Sequence, residues 1–263
     1  MDKYKNEKEE VPDKISPKGE DIEGATLCFD FGNTRLKCAV FYQASIREII
    51  LLENDSDETF ENLVKKYQPQ KTILSSVIEH NATVEKILSA ASRFHKLSHQ
   101  TKLPFTSPVG KPETIGADRL ALAAAAVYFH PQKNNLVIGM GSCITYNFIN
   151  KYNQFLGGSI SPGMEMRFKA MHDFTAKLPL IAANSIFPLT GYDTKTNLLS
   201  GVILGISCEI DGLIDLYAKK YGNFNVLLTG GDMGFFVPHL KNKIFADPYL
   251  IYKGLNAINE INN

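Results

Sequence analysis

A strand-turn-strand pattern that occurs twice constrains the fold of this chain more than any other feature. The stretch LCFDFGNTRLKCAVF, residues 27–41, aligns without a gap on LVIGMGSCITYNFI, residues 136–149. The aligned pairs include Leu27 with Leu136, Phe29 with Ile138, Gly32 with Gly141 and Asn33 with Ser142. Asp30 aligns with Gly139, so the first copy alone carries a carboxylate at this position. Aligned turn glycines favour an internal duplication over chance similarity among short apolar strands.

The order of predicted elements extends this repeat to most of the chain. From Ala25 the β-rich runs are ATLCFDF, LKCAVFY and IREIILLE, and after the turn at residues 131–135 they are NNLVIGM, CITYNFIN and QFLGGSIS. Each set of three strands is followed by alternating helices and strands. We therefore predict an α/β fold with an N-terminal half at residues 25–130 and a C-terminal half at residues 131–263. A ligand cleft is expected between the halves.

The remaining segments have clear helical or strand patterns. KTILSSV and NVLLTGGD predict buried strands, and GADRLALAAAAVYF predicts an alanine-rich helix that packs closely against its neighbours. The other predicted helices are SDETFENLVKKYQ, ATVEKILSAASRF, GMEMRFKAMHDFTAKL and TNLLSGVILGISCEIDGLIDLYAKKYG. The last segment, PYLIYKGLNAINEI, predicts a strand-like run followed by a helix.

Charge and composition exclude several classes of protein. Residues 1–24 contain 13 charged residues and few apolar ones, which predicts a flexible charged extension. The chain has 28 basic and 28 acidic residues, so a broad nucleic-acid or anionic-membrane surface is not expected. We see neither a stretch of roughly 20 apolar residues nor a signal peptide. The four cysteines form no CxxC pair and predict reduced, buried thiols in a cytoplasmic protein.

The turn DFGNT has residues suited to binding a nucleotide phosphate. Gly32 lets the backbone approach a phosphate closely, and Asn33 and Thr34 offer donors in the turn. Asp30 can hold Mg²⁺, and Lys37 follows on the next strand. Many hairpins carry aspartate and glycine for turn geometry alone, so the turn by itself is weak evidence. Its repetition favours a nucleotide clamp, although the G-x-x-x-x-G-K-[ST] phosphate loop is absent from the sequence.

Three further motifs add to this signal. TGGD, residues 229–232, ends a buried strand, and GGSISPG, residues 157–163, leads from a strand into a helix near Pro162. GADR, residues 116–119, lies at a helix start, where an aspartate often serves only as a cap. The functional alternative is a carboxylate base, Asp118, beside an anion-binding guanidinium, Arg119.

Taken together, these motifs resemble the type III pantothenate kinases of the acetate and sugar kinase, Hsp70 and actin superfamily. The matching stretches are DFGNTRLK, PETIGADR, GSCITY, GGSISPG, FTAKLPL, SGVILG, LLTGGD and KGLNAI, in the order of the family. The resemblance covers about residue 25 to the C-terminus. It implies two duplicated ribonuclease H-like halves, as in actin-like ATPases, with an interdomain cleft. It also implies a homodimer with substrate sites near the subunit interface, and ATP-dependent phosphorylation of pantothenate, the first step of coenzyme A synthesis.

The resemblance also implies roles for individual residues. Asp118 would be the catalytic base, and Asp30 would lie near Mg²⁺ bound with ATP. The implied ATP-binding residues are Asp30, Phe31, Gly32, Asn33, Thr34, Arg35, Leu36, Lys37, Ser142, Gly230 and Gly231. The implied pantothenate-binding residues are Val109, Gly116, Ala117, Asp118, Arg119 and Thr194.

Three positions depart from the family pattern. Gly139 stands where the family has an aspartate that binds potassium or ammonium, Val109 stands where many members have a tyrosine, and Asn147 replaces a usual aspartate. A glycine offers no side-chain ligand, so the monovalent-cation ligand is expected to be lost. We favour an active pantothenate kinase, with two alternatives: a non-catalytic relative with a regulatory or binding role, or a kinase for another small hydroxylated substrate.

Overall fold

The structure is a computed structural model that describes residues 24–263, so the predicted extension, residues 1–24, lies outside the described residues apart from Gly24. The strands are β1 (Ala25–Phe31), β2 (Leu36–Tyr42), β3 (Ser45–Leu52), β4 (Lys71–Ser76), β5 (Arg93–Lys96), β6 (Asn135–Met140), β7 (Cys143–Ile149), β8 (Phe155–Pro162), β9 (Asn225–Thr229) and β10 (Phe245–Ala246). The α-helices are α1 (Asp57–Tyr67), α2 (Ala82–Ala91), α3 (Ala117–Phe129), α4 (Met164–Asp173), α5 (Thr194–Tyr221), α6 (Met233–Phe236) and α7 (Leu250–Asn262).

The strands form two mixed five-stranded sheets with the same arrangement. The first has the order β3-β2-β1-β4-β5 and the second the order β8-β7-β6-β9-β10. In the first sheet β1 pairs antiparallel with β2 and parallel with β4, and in the second β6 pairs antiparallel with β7 and parallel with β9. The central strands β1 and β6 are almost completely buried, because helices and neighbouring strands cover them on every side. The predicted α/β class is confirmed.

Side-chain caps explain where two of the predicted helices begin. The Ser56 hydroxyl accepts a hydrogen bond from the Thr59 N–H at the start of α1. At the start of α5, Asp193 and Thr196 form a reciprocal capping box. Such caps satisfy backbone N–H groups that have no partner inside the helix.

Three predicted boundaries were wrong. The predicted second helix includes SRF, but α2 ends at Ala91 and residues 93–96 form the edge strand β5. The predicted fourth helix extends to Leu178, but α4 ends at Asp173 and the Thr175 hydroxyl donates to the Met171 carbonyl in the turn that follows. The run PYLI is not a strand, because α7 begins at Leu250.

Helices α3 and α7 lie between the two sheets and pack against each other. Helix α3 contacts β4, β6 and β7, while α7 contacts β1 and β4. Residues Ala123–Ala126 of α3 have no exposed surface, which confirms the predicted close packing of this alanine-rich helix. Helix α7 thus packs against the first sheet, although its sequence lies in the predicted C-terminal half.

Gly254 in α7 allows the two helices to approach this closely. A β-carbon at Gly254 would lie 2.0 Å from the backbone oxygen of Ala121. We expect Gly254→Ala to lower the free energy of unfolding by about 1–3 kcal/mol, because α3 and α7 must move apart. Gly212→Ala in α5 is the matched control, since a β-carbon there meets no atom within 4 Å. Urea denaturation should show destabilisation for Gly254→Ala and a gain of up to about 1 kcal/mol for Gly212→Ala.

Helix α5 contradicts the prediction that no segment approaches the length and hydropathy of a membrane span. Within residues 24–263, α5 is the one helix that is long enough and apolar enough to cross a membrane, judged by length and composition alone. Its buried side chains, including Ile203, Ile206 and Ile210, pack in the core beside the second sheet. A core helix of this kind passes the same test, so the result is weak evidence for a membrane.

The cysteines only partly match the prediction of buried thiols. Cys28 and Cys38 are buried, Cys143 is partly exposed and Cys208 is exposed on α5. All four are free thiols. Burial raises the pKa of Cys28 and of Cys38 well above the ordinary value for a thiol. These two cysteines are therefore inert core residues.

Candidate active site

The turns that follow β1 and β6 contact each other. Thr34 and Ser142 are 108 residues apart in sequence, yet their side-chain hydroxyl oxygens lie 2.8 Å apart. The Gly32 N–H donates to the Arg35 carbonyl at 3.1 Å, and Gly141 closes the second turn with a similar bond of 3.1 Å. The structure therefore brings together two residues that the sequence assigned to ATP, one from each copy of the repeat.

The GGSISPG motif packs against the second of these turns. The Gly163 N–H donates to the Ser142 carbonyl at 3.0 Å. A β-carbon at Gly163 would lie 2.1 Å from the Gly141 carbonyl oxygen, so a side chain there would displace the turn. The glycine thus has a structural role at the site in addition to ending the strand.

The TGGD motif approaches the same turn from β9. Gly230 has a φ of +105°, and a β-carbon there would lie 2.1 Å from the Met140 carbonyl oxygen. Gly231 faces open space. Burial raises the pKa of Asp232, and the positive charge of Arg35 opposes that rise. The predicted residues Gly230, Gly231 and Arg35 therefore lie in one region of the molecule.

Some side chains of the DFGNTRLK motif point away from the two glycine turns. The ring of Phe31 is fully buried and packs against Phe60 in the core of the first half. Leu36 is partly buried against the same core. Asn33 and Thr34 are exposed in the turn. Only the backbone of Phe31 is thus available to a ligand.

Asp30 lies at the end of β1 beside a second carboxylate. The sheet register pairs Asp30 with Lys37 of β2 and with Ser75 of β4. Burial raises the pKa of Asp30 from 3.8 to about 7, the negative charge of Asp118 adds to the rise, and Lys37 opposes it. The proximity of Asp30 and Asp118, which are 88 residues apart in the numbering, could not be inferred from either motif alone.

Asp118 lies in the first turn of α3, with Gly116 as the residue that caps the helix. Burial raises the pKa of the Asp118 carboxyl, and the backbone N–H and the charge of Arg119 oppose that rise. A β-carbon at Gly116 would lie 2.5 Å from the Asp118 Oδ1, so the glycine leaves room for the carboxylate. A partly buried carboxylate with a raised pKa is suited to act as a general base.

Arg119 is held by two groups of the second half. Its Nε donates to the Asn147 Oδ1 at 2.7 Å, and its guanidinium carbon lies 5.6 Å from the centre of the Phe155 ring. Burial lowers the pKa of Arg119, and the neighbouring charge of Asp118 counters this effect. The sequence identified Asn147 only as a departure from the family pattern. No local sequence pattern indicated that Asn147 contacts Arg119.

The other predicted substrate residues lie in different places. Val109 and Ala117 are partly buried against the core between the sheets. Thr194 begins α5 and lines a cavity of about 720 Å³ together with Arg167 and Asn197. Asp118 is not among the residues that line that cavity.

A second cavity adjoins the GADR motif and was missed by the sequence analysis. It has a volume of about 380 Å³ and includes Gly116 and Ala117 in its lining. Its polar lining residues are Ser76, Ser98, His99, Glu113 and Thr114. Glu113 and Thr114 belong to the matched stretch PETIGADR, whereas Ser76, Ser98 and His99 come from segments for which no local motif indicated a role at the site.

The residues present fit Mg²⁺ but not the monovalent cation of the family. Mg²⁺ is held by one or two carboxylates together with phosphate and water oxygens, which suits Asp30. Gly139 offers no side-chain ligand, and a β-carbon there would lie 2.9 Å from Thr145 Oγ1 and 3.1 Å from Leu122 Cδ1. Among residues 24–263, no group of three or more His, Cys, Asp or Glu side chains forms a metal site.

Comparison with known proteins assigns this arrangement to a class and then to a family. Two matched mixed sheets, with glycine turns and a carboxylate pair where they meet, indicate an α/β kinase. The sequence pattern of the type III pantothenate kinases matches residues 26–216. A Christiangramia forsetii type III pantothenate kinase is 42% identical over 90% of this chain and 98% of its own length. A Bacteroides fragilis type III pantothenate kinase is also 42% identical, with the same coverage. The chain belongs to the type III pantothenate kinase family.

A solved structure agrees with the fold. It is a protein from Campylobacter jejuni described as a conserved Baf family transcriptional activator. The TM-score is 0.59, the sequence identity is 23%, and the match covers 90% of this chain and 98% of that one. At this identity the likeness supports the fold alone.

Proposed function

We propose that this protein transfers the γ-phosphoryl group of ATP to the primary hydroxyl of pantothenate, which yields 4'-phosphopantothenate in coenzyme A biosynthesis. The observation that carries the proposal is the meeting of the two phosphate-type turns, Thr34 against Ser142, beside the charge-coupled pair Asp30 and Asp118. Family membership identifies pantothenate as the acceptor, since the curated relatives share that name.

Each part of the site has a role in this reaction. The ATP phosphates would lie against the turns at residues 30–37 and 141–142 and beside Gly230 and Gly231. Asp30 would hold Mg²⁺, which neutralises phosphate charge when it is bound with ATP. Asp118 would accept the proton of the pantothenate hydroxyl, and Arg119 would bind an anionic group. Phosphoryl transfer depends mainly on such positioning and charge neutralisation.

The wider organisation follows from the same proposal. We infer that the two sheets with matching strand order are duplicated ribonuclease H-like halves, and that ATP and pantothenate bind in the cleft between them. Val109 and the cavity beside Gly116 would shape the pantothenate site. The free cysteines and the balanced charge support a cytoplasmic enzyme that binds neither nucleic acid nor membrane.

A homodimer would explain both the exposed apolar side chains after α4 and the position of Thr194. The exposed residues are Phe174, Leu180, Ile186, Leu189 and Tyr192. Apolar side chains concentrated in one segment of the surface indicate an interaction site. Thr194 follows directly on this segment, so a partner subunit seated there would allow Thr194 to contact the substrate of the other subunit.

The decisive experiment measures ADP release from ATP by purified protein, with and without pantothenate. We expect release that requires both pantothenate and Mg²⁺. Pantothenate that binds without turnover would support the non-catalytic relative instead. Release that requires a different hydroxylated acceptor would support a kinase of altered specificity, in which Val109 reshapes the pocket.

A further prediction concerns the missing cation ligand. We expect the wild-type enzyme to show no potassium activation, because Gly139 supplies neither a charge nor side-chain oxygens. Gly139→Asp alone must displace both the Thr145 hydroxyl and the end of Leu122, so the double variant Gly139→Asp/Thr145→Ala relieves the tighter of the two contacts. That variant should gain activation by potassium over sodium at fixed ionic strength.

The Thr145→Ala single variant is the matched control for this comparison. Strong potassium activation of the wild type would mean that other groups complete a cation site. Loss of activity in the double variant in both salts would mean that the new carboxylate remains unpaired near ATP.

A further inference from the structure

We propose that Asn147 is a positioning residue that orients Arg119 to bind an anionic group of a reactant. This proposal rests on the proposed function for the identity of the reactant, but not for the arrangement itself. The two residues come from different halves of the chain, since Arg119 lies in the first turn of α3 and Asn147 lies within β7. Their contact is a hydrogen bond of 2.7 Å from Arg119 Nε to Asn147 Oδ1.

The orientation of the Asn147 amide is fixed by its own surroundings. The side chain has no exposed surface. Its Nδ2 donates to the Val137 carbonyl at 3.3 Å and to the Thr145 hydroxyl at 3.2 Å. Because both acceptors lie on the Nδ2 side, Oδ1 must face Arg119. A buried amide with three hydrogen bonds is a rigid acceptor for the guanidinium.

The bond uses one edge of Arg119 and leaves the other edge free. The guanidinium has five N–H donors, and the contact with Asn147 engages Nε. Within the described part of the chain, no carboxylate forms a salt bridge with Arg119, and no other hydrogen bond of its side chain is present. The centre of the Phe155 ring lies 5.6 Å from the guanidinium carbon, and the ring limits movement of the guanidinium on that side.

A partly buried arginine whose terminal nitrogens have no hydrogen-bond partner among residues 24–263 is suited to bind an anion. The terminal nitrogens of a guanidinium match the two oxygens of a carboxylate or of a phosphoryl group. The acceptor Asn147 contacts only Nε, so it fixes the direction of the side chain and leaves the terminal nitrogens available to a ligand. The adjacent Asp118 links the anion site to the proposed base. The ligand is therefore an anionic group of a reactant, either the carboxylate of the acceptor or the transferred phosphoryl group.

The test compares Asn147→Leu, Asn147→Asp and the matched control Asn135→Leu. Leucine removes the acceptor but keeps the number and branching of the heavy side-chain atoms, whereas aspartate keeps an oxygen toward Arg119 Nε. Asn135 is an equally buried asparagine of the adjacent strand, hydrogen-bonded at the opposite end of β6. We expect Asn147→Leu to lower kcat/KM by about 10²-fold, the loss typical of a misplaced substrate-binding group. Asn147→Asp should restore most of this loss, and Asn135→Leu should leave kcat/KM unchanged.

Two acceptors distinguish the sources of the anion. If Arg119 binds the carboxylate, Asn147→Leu raises the KM for pantothenate and leaves the KM for its neutral alcohol analogue unchanged. If Arg119 binds the transferred phosphoryl group, kcat falls equally with both acceptors. In either case Asn147→Leu should have no further effect in an Arg119→Gln background, because Asn147 acts through Arg119. Additive losses would overturn the proposal.

A spectroscopic measurement tests the arrangement even if pantothenate is not the substrate. The Arg119 Nε–Hε signal, assigned by its loss in Arg119→Gln, should be slow to exchange in the wild type and in Asn147→Asp. It should be lost in Asn147→Leu and should shift when inorganic phosphate or pantothenate is added to the wild type. A protected signal that persists in Asn147→Leu, or a wild-type signal that neither anion shifts, would overturn the proposal. Absence of pantothenate turnover with these signals intact would refute only the proposed function.

Discussion

Asp118→Asn is expected to lower kcat by about 10²–10⁴-fold, the usual contribution of a general base. Asparagine has nearly the size of aspartate, but it cannot accept the proton of the acceptor hydroxyl. The carboxyl of Asp118 is partly buried in the first turn of α3, and burial raises its pKa. Such a carboxylate is more basic than an exposed one and therefore better matched to this proton transfer.

The measurement compares kcat, KM and melting temperature for the wild type, Asp118→Asn and the control Glu61→Gln. Glu61 is an exposed carboxylate of α1, so its loss should change none of the three quantities appreciably. For Asp118→Asn we expect the loss in kcat with a melting temperature close to that of the wild type. A kcat near the wild-type value would exclude Asp118 as the base.

The sequence predicted those parts of the site whose chemistry is contained in a short motif. The turn glycines Gly32 and Gly141, and the hydroxyls of Thr34 and Ser142, could be identified because the same turn occurs twice. Their contact in the structure follows from the similar arrangement of the two sheets. The Ala-rich α3 was also predictable, since small side chains on every face favour close packing with other helices.

The remaining features depend on contacts between distant segments. Nothing near Asp30 or Asp118 in sequence indicates that the two charges interact. The hydrogen bond from Arg119 to Asn147 joins a helix of one half to a strand of the other. The run PYLI has strand-like composition, yet α7 begins at Leu250, and Gly254 of this helix packs closely against Ala121 of α3. Tertiary packing here overrides local preference.

Asp30→Asn is expected to have two large effects of opposite sign. It should lower kcat/KM for Mg-ATP by at least about 10²-fold, because the proposed Mg²⁺ site loses a charged oxygen ligand. It should also stabilise the ligand-free protein at pH 8. At that pH the Asp30 carboxylate is ionised although burial and the charge of Asp118 both oppose ionisation. The difference between 3.8 and about 7 corresponds to a cost on the order of 4 kcal/mol.

The pH dependence follows from the direction of this shift. Between pH 4 and pH 7 the folded protein holds a proton on Asp30 that the unfolded chain has released. The contribution of Asp30 to the free energy of unfolding therefore falls as pH rises through this window and is constant above it. Asp30→Asn should remove this decline, while the exposed control Glu61→Gln should retain it.

Urea denaturation at pH 5 and pH 8, without Mg²⁺ or nucleotide, measures the change in the free energy of unfolding. Titration of each substrate measures the change in kcat/KM. The stability gain of Asp30→Asn should be smaller at pH 5 than at pH 8, whereas the loss for Mg-ATP should exceed any loss for pantothenate. Equal stability of the variant and the wild type at both pH values would mean that burial does not oppose ionisation of Asp30. An unchanged kcat/KM for Mg-ATP would remove Asp30 from the metal site. The two results together would show whether the site retains an unfavourable buried charge because Mg-ATP requires it.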